Sequence, residues 1–279
     1  MPKPVTTVAG LRGALAERKA AGASRIGLVP TLGALHEGHL SLMREARHRA
    51  DTVVVSIFVN PAQFAPHEDF DAYPRNLDAD LEKLGNRADI VFAPTIREMY
   101  PHGHATTISV AGPSTGLETD FRPHFFAGVA TVVTKLLIAA SPDIAVFGEK
   151  DYQQLLVVKR LVRDLTLPVE IIGAPTWREA DGLAMSSRNA FLDANERKIA
   201  GELNVILKAA ISQARTTGDL RAAEASAIEA LWAADFSHVD YVAIRDAETL
   251  EHVAALERPA RILAAVKIGK TRLIDNLAV

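Results

Sequence analysis

The 279-residue sequence contains no cysteine. A disulfide framework, a thiol nucleophile and a thiolate metal site are therefore excluded. No stretch approaches the roughly 20 consecutive apolar residues that a membrane helix requires. The most apolar long run, 128–140, is broken by Thr131, Thr134 and Lys135. Met1–Gly10 carries no apolar segment of the kind found in a secretory signal. An excess of one charge is missing too. Lys and Arg number 31 against 34 Asp and Glu, so the net charge of −3 is too near neutral for bulk attraction to nucleic acid or a membrane surface. The expectation is a soluble, cytoplasmic protein.

Several catalytic signatures are also absent. There is no Walker A sequence, no G-x-G-x-x-G after the first strand-like run and no G-x-S-x-G elbow. The H-E-G-H at 36–39 spaces its histidines three apart, whereas the zinc motif H-E-x-x-H needs four. What is present is ordinary globular composition, 48% hydrophobic and 23% charged. At about 150 residues per domain, the length suits one large domain or two moderate ones and buries a core without staples.

The first 175 residues alternate strand and helix patterns. Short apolar runs at Ile26–Val29, Thr52–Val59, Ile90–Ala93, Ile144–Phe147 and Val169–Gly173 read as strands buried on both faces. Between them, Leu40–Met43–Ala46, Leu77–Leu81–Leu84, Val129–Ala140 and Leu155–Leu165 have helical spacing. This order predicts crossovers and an α/β, Rossmann-like, doubly wound parallel sheet over residues 1–175. Past Pro175 the pattern changes. Asp193 and Glu196 form a capping box before a helix, a turn follows at Arg215–Gly218, and Ala222–Ala233 reads as a second helix. Three strand-like runs then occur at Val239–Ile244, Ile262–Val266 and Arg272–Ile274. Residues 176–279 are expected to form a smaller C-terminal α+β domain.

Four segments carry candidate chemistry, each where a strand hands over or where the two domains would meet. Pro30–His39 follows the first strand, and ligands in open α/β sheets bind beyond the carboxyl ends of strands. A helix start there offers free N–H groups and a positive dipole end to phosphate. Gly33 and Gly38 let backbone approach a ligand, and His36 and His39 share a helical face. Two imidazoles beside a triphosphate can donate hydrogen bonds or a proton; the dipole disfavours their charged form and a bound phosphate favours it. In Phe147–Gln154, Lys150 is a compact charge suited to phosphate, and Gln154 lies one turn into the next helix. In Met185–Arg188, two hydroxyls sit beside a guanidinium fork. In Asn60–Phe64, Asn60 and Gln63 place neutral amides at a third strand end, where Asn-Pro is also a plain turn signal.

Taken together and in order, PTLGALHEGH (30–39), FVNPAQF (58–64), YPR (73–75), FGEKDYQQL (147–155), READGLAMSSRN (178–189) and TRLIDN (271–276) resemble the pantothenate synthetases, the pantoate–β-alanine ligases. The resemblance covers nearly the whole chain and is related through H-x-G-H to nucleotidyltransferases. It implies that pantoate attacks the α-phosphate of ATP, and that β-alanine then attacks the pantoyl adenylate and releases AMP. It further implies an ATP site at Leu32, Gly33, Ala34, Leu35, His36, Glu37, Gly38 and His39 and at Gly148, Glu149, Lys150 and Asp151. Trp177, Met185, Ser186, Ser187 and Arg188 complete that site. His39, His36 and Lys150 are the implied catalytic residues. Gln63, Gln154 and Asn60 are the implied pantoate contacts, with Gln63 also near β-alanine. Mg2+ would ride on the ATP phosphates with no protein cage of its own. A homodimer is implied, with Thr106–Val110 as a candidate edge strand for pairing.

Three positions depart from the family pattern: Leu32 stands for Met, Trp177 for a smaller apolar residue, and Phe125 for a His. His124 lies one residue early, so either the loop presents His124 or that contact is missing. Transfer of AMP to a phosphorylated acceptor is the alternative activity, against which the neutral amides argue.

Overall fold

The computed structural model describes residues 3–65, 68 and 70–279. Met1 and Pro2 of the N-terminal stretch discussed above lie outside them. The chain runs α1 (Val8–Ala20), β1 (Ile26–Thr31), α2 (Glu37–Arg47), β2 (Thr52–Ile57), α3 (Leu77–Leu84) and β3 (Ile90–Phe92). Short helices α4 (Ile96–Met99) and α5 (Glu118–Phe121) lead into α6 (Phe125–Ala140), β4 (Ile144–Gly148), α7 (Tyr152–Asp164) and β5 (Glu170–Ala174). Helices α8 (Ala194–Thr217) and α9 (Leu220–Ala233) precede β6 (His238–Asp246), β7 (Ala260–Ile268) and β8 (Thr271–Ala278).

Strands β1–β5 form one parallel sheet in the order β3-β2-β1-β4-β5. Period-two alternation explains why these runs are apolar throughout. Ile26, Leu28, Val54, Ala145 and Phe147 pack on one face with α1, α6 and α7. Val29, Val53, Val55, Ile144 and Val146 pack on the other with α2 and α3. The 128–140 run is buried helix α6. Its threonines are tolerated because Thr131 and Thr134 donate back to the Ala127 and Ala130 carbonyls, each at 2.7 Å.

The second sheet, β6-β7-β8, is antiparallel and shares a core with α8 and α9. The capping box starts α8: Asp193 Oδ1 accepts from the Glu196 N–H at 2.9 Å, and Glu196 Oε2 accepts from the Asp193 N–H at 3.0 Å. A small apolar cluster of Leu117, Leu156, Ala243, Leu250 and Leu263 joins the two halves.

Two details differ from the sequence reading. Helix α1 was not anticipated, because only Leu11 and Leu15 of its residues are buried and glycines interrupt its face. The Thr106–Val110 run is not a strand in the chain. The Ile108 N–H instead donates to Thr131 Oγ1 at 2.9 Å, which ties the segment to α6.

Candidate active site

Sheet order reverses between β1 and β4, which makes this the topological switch point where a crevice opens beyond the strand ends. The 32–39 turn leaves β1 there and the 149–151 turn leaves β4. Together with the 60–63 turn after β2 and the 175–189 segment, they line one cavity of about 1240 Å3. Leu32, His36, Gly38, His39, Gly148, Lys150 and Asp151 all face it, as do Gln63, Gln154, Trp177, Met185, Ser186, Ser187 and Arg188. The structure thus brings together side chains from four separate segments.

The 33–35 turn is held in an unusual conformation. Gly33 has φ +87°, and Ala34 has φ 51°, a left-handed value that costs an L-residue about 1–2 kcal/mol. Asp80, buried on α3, holds the turn by accepting from the Ala34 N–H at 3.0 Å and the Leu35 N–H at 2.7 Å. The Lys83 ammonium caps the Leu35 carbonyl at 3.0 Å. Neither residue was anticipated. The available signal was a carboxylate on the same helical stripe as Leu77, Leu81 and Leu84. Ala34, Leu35, Glu37 and Glu149 do not line the cavity.

His36 is the N-cap of α2. Its ring and that of His39 lie 4.0 Å apart between centroids. The His36 backbone N–H donates to His39 Nδ1 at 3.3 Å, which leaves the His39 proton on Nε2. Burial, reinforced by the Lys150 and Lys83 charges, pushes the His36 imidazole down to about 4. Burial, then the charges of His36 and the same lysines, holds His39 well below the usual histidine range. Both rings are therefore neutral hydrogen-bonding groups at neutral pH in the free protein. Between pH about 4 and 6.5 the unfolded His36 binds a proton that the folded one refuses, so stability falls as pH falls through this window. His36→Gln is expected to flatten that decline by up to about 1.4 kcal/mol per pH unit. Urea unfolding at stepped pH checks this; an unchanged slope contradicts it.

Lys150 Nζ lies 3.7 Å from Asp151 Oδ1. Ser187 Oγ is 3.1 Å from the Tyr73 hydroxyl, and Ser186 Oγ accepts from the Arg188 N–H at 3.2 Å. Trp177 is 45% exposed at the rim, with the Arg44 guanidinium 5.0 Å from its ring centroid. The 178–189 segment is fastened by Arg178, which makes a bidentate pair with Asp275 at 2.8 and 2.9 Å. Arg197 grips Glu179 and Asp181, each at 2.6 Å.

Asn60 lines the cavity and is 0% exposed. Its Nδ2 donates to Gln63 Oε1 and the Gly128 carbonyl, both at 3.1 Å, and its Oδ1 accepts from the Tyr100 hydroxyl at 2.6 Å and the Ala62 N–H at 3.3 Å. All four hydrogen-bonding positions are used inside the protein, so Asn60 supports Gln63. Gln153 and Gln154 both line the cavity, but the Gln153 amide is spent on the Glu118 N–H and the Pro113 and Gly116 carbonyls. The question at α6 is also answered. Phe125 lines the cavity under the Arg122 guanidinium, 4.0 Å from its ring centroid, and His124 does not line it.

A doubly wound sheet with an H-x-G-H turn and a lysine turn on either side of its switch point defines a nucleotide-binding α/β protein. A family model described as pantoate-beta-alanine ligase matches residues 3–278. The pantothenate synthetases of Mesorhizobium japonicum and Caulobacter vibrioides are 58% and 56% identical over 100% of this chain and 98% and 99% of their own lengths. The crystal structure of the Thermus thermophilus pantothenate synthetase superposes with a TM-score of 0.92 at 47% identity, covering 99% of both chains. That of the Francisella tularensis ligase, complexed with β-γ ATP and β-alanine, gives 0.80 at 33% identity, covering 99% of this chain and 97% of that one. The chain belongs to the pantoate–β-alanine ligase family, and the alternative of AMP transfer to a phosphorylated acceptor is not favoured.

Proposed function

We propose that the chain condenses pantoate with β-alanine at the expense of ATP, through a pantoyl adenylate, and that the cavity around His36, His39 and Lys150 is where it does so. The observation that carries this reading is the convergence of those three residues with Gln63 and Gln154 on one cavity. A pantoate carboxylate oxygen attacks the α-phosphorus as the bond to the pyrophosphate oxygen breaks. The β-alanine amine then attacks the acyl carbon and AMP leaves. Phosphoryl and acyl transfers of this kind need alignment and charge neutralisation more than covalent help. Lys150 supplies the compact positive charge, and His39 Nε2–H with the first N–H groups of α2 supplies aimed donors. Ser186, Ser187 and Arg188 close around the phosphates from the far side, while Gln63 and Gln154 hold the uncharged part of pantoate.

No cluster of three or more His, Asp or Glu among the described residues could hold a metal ion. The ammonium group and N–H donors of the cavity instead fit a metal carried by ATP. Mg2+ would bind the ATP phosphates and neutralise part of their charge. An acyl adenylate hydrolyses readily, so water must be excluded. Residues 176–279 act as a lid domain over residues 1–175, and adding ATP with pantoate is expected to protect the 185–188 segment from protease; unchanged cleavage contradicts closure. The protein acts in the cytoplasm as a homodimer, which a light-scattering mass of a single chain would refute. No helix among the described residues is long and apolar enough to cross a membrane.

The deciding experiment is exchange of labelled pyrophosphate into ATP. It is expected only with pantoate present, and AMP release only when β-alanine is added. Exchange without pantoate, or AMP retained in the product, overturns the reading.

A further inference from the structure

Lys150 sits in a short turn whose conformation β4 and α7 alone do not fix. Two of its carbonyls are held from the other sheet. Asn276 of β8 donates from Nδ2 to the Glu149 carbonyl at 2.9 Å and to the Lys150 carbonyl at 2.8 Å. Asn276 is 3% exposed. Its Oδ1 accepts from Arg261 Nη1 at 2.5 Å, which fixes the amide so that its N–H groups face the two carbonyls. The flipped amide would set an oxygen against two oxygens and a nitrogen against a guanidinium. The backbone of Asn276 is itself pinned. Its carbonyl accepts from Arg178 at 3.2 Å, and its N–H donates to the Asp275 carboxylate at 2.7 Å, the same carboxylate that pairs with Arg178. Arg261 adds a contact to the same turn, 3.3 Å from Glu149 Oε2 and over the Tyr152 ring at 3.8 Å.

We infer that Asn276 is a positioning residue for Lys150, through which the C-terminal sheet sets where the phosphate-facing ammonium stands. This rests on the reading of Lys150 as the cation that neutralises the triphosphate. Asn276 lines the same cavity, but its amide is spent on two carbonyls and a guanidinium, so it acts through the turn. A buried asparagine serving only stability would have no reason to affect ATP and pantoate differently. One that holds the lysine turn affects the nucleotide step alone.

The test is Asn276→Asp, which keeps size and the Arg261 contact but removes both donors. Pyrophosphate exchange is expected to fall by about 10-fold or more, since misplacement on the ångström scale costs up to about 10²-fold. The KM for ATP should rise and that for pantoate should stay within about twofold. In a Lys150→Ala background the same change should cost less than about twofold in exchange and in ATP affinity, because the group it positions is gone. Asn276→Ser, which retains one short donor, replaces the aspartate variant if that variant does not fold; it should lose less and show the same dependence on Lys150. Equal rises in both KM values, or losses that multiply independently of Lys150, overturn the inference. If Lys150→Ala alone leaves exchange near wild type, the reading of Lys150 falls instead, so the two failures are distinguishable.

Discussion

Lys150→Ala lowers pantoate-dependent pyrophosphate exchange by about 10²-fold or more, the cost of removing one donor aimed at developing transition-state charge. The expectation follows from what else the cavity offers. His36 and His39 are neutral at the working pH of the free protein because burial and the lysines themselves hold their protons off. They contribute directed hydrogen bonds but no net charge. Lys83, the other ammonium acting on these rings, is committed to the Leu35 carbonyl at 3.0 Å. Of the lysines that line the cavity, Lys267 and Lys270 come from the β7–β8 hairpin, whereas Lys150 stands in the turn that leaves β4 at the switch point, so Lys150 is the ammonium expected to face the phosphates. Fold should be unaffected, because the turn is held by its carbonyls and not by this side chain. Near-wild-type exchange in Lys150→Ala, with an unchanged melting temperature as control, contradicts the assignment.

Gly128→Ala is the second large effect, and it acts through backbone. A methyl group there would lie 2.1 Å from the Ala62 carbonyl oxygen, 2.4 Å from its carbon and 2.7 Å from the Gln63 nitrogen. These are main-chain atoms of the 60–63 turn, so no side-chain rotation relieves the contact. The same glycine's carbonyl accepts from Asn60 Nδ2 at 3.1 Å, and Asn60 in turn holds Gln63. Helix α6 must move away from the turn, or the turn must move with Gln63. Overpacking of this kind costs about 1–3 kcal/mol where side chains can adjust, and here more is expected. Urea unfolding should register that loss, and in whatever folded fraction remains the KM for pantoate should rise more than that for ATP. A variant with wild-type stability and wild-type KM for pantoate contradicts the argument.

The parts of this molecule that were legible in the sequence are those whose signal is local. The strands of the parallel sheet announced themselves because both faces are covered, so Thr52–Ile57 and Ile144–Gly148 are mostly apolar, buried nearly throughout and without alternation. Asp193 and Glu196 marked the start of α8 because a capping box is complete within four residues. The turns carrying His36, His39 and Lys150 stood out as polar clusters at strand ends. What escaped is pairwise and distant. Asp80 meets Ala34 across 46 positions and Asn276 meets Lys150 across 126, and neither partner's neighbourhood hints at the other. The internal bonds of Asn60 were hidden for a related reason: an amide with free positions and an amide bonded to Gly128 and Tyr100 look alike in one dimension. Helix α1 escaped because a helix with so narrow a buried stripe leaves little periodicity to detect.

Strand β8 has a mechanical meaning. Near its beginning, Arg272 reaches Glu118 at 2.8 Å, and near its end Asn276 reaches the 149–150 carbonyls. Four residues of extended chain separate these fixings by roughly 13 Å. With the Tyr152 hydroxyl donating to the Ala247 carbonyl at 2.7 Å and the Leu117, Leu156, Ala243, Leu250 and Leu263 cluster closing the same seam, the two pins belong to a brace, and any displacement of the C-terminal sheet would have to break them or carry the 149–150 turn with it.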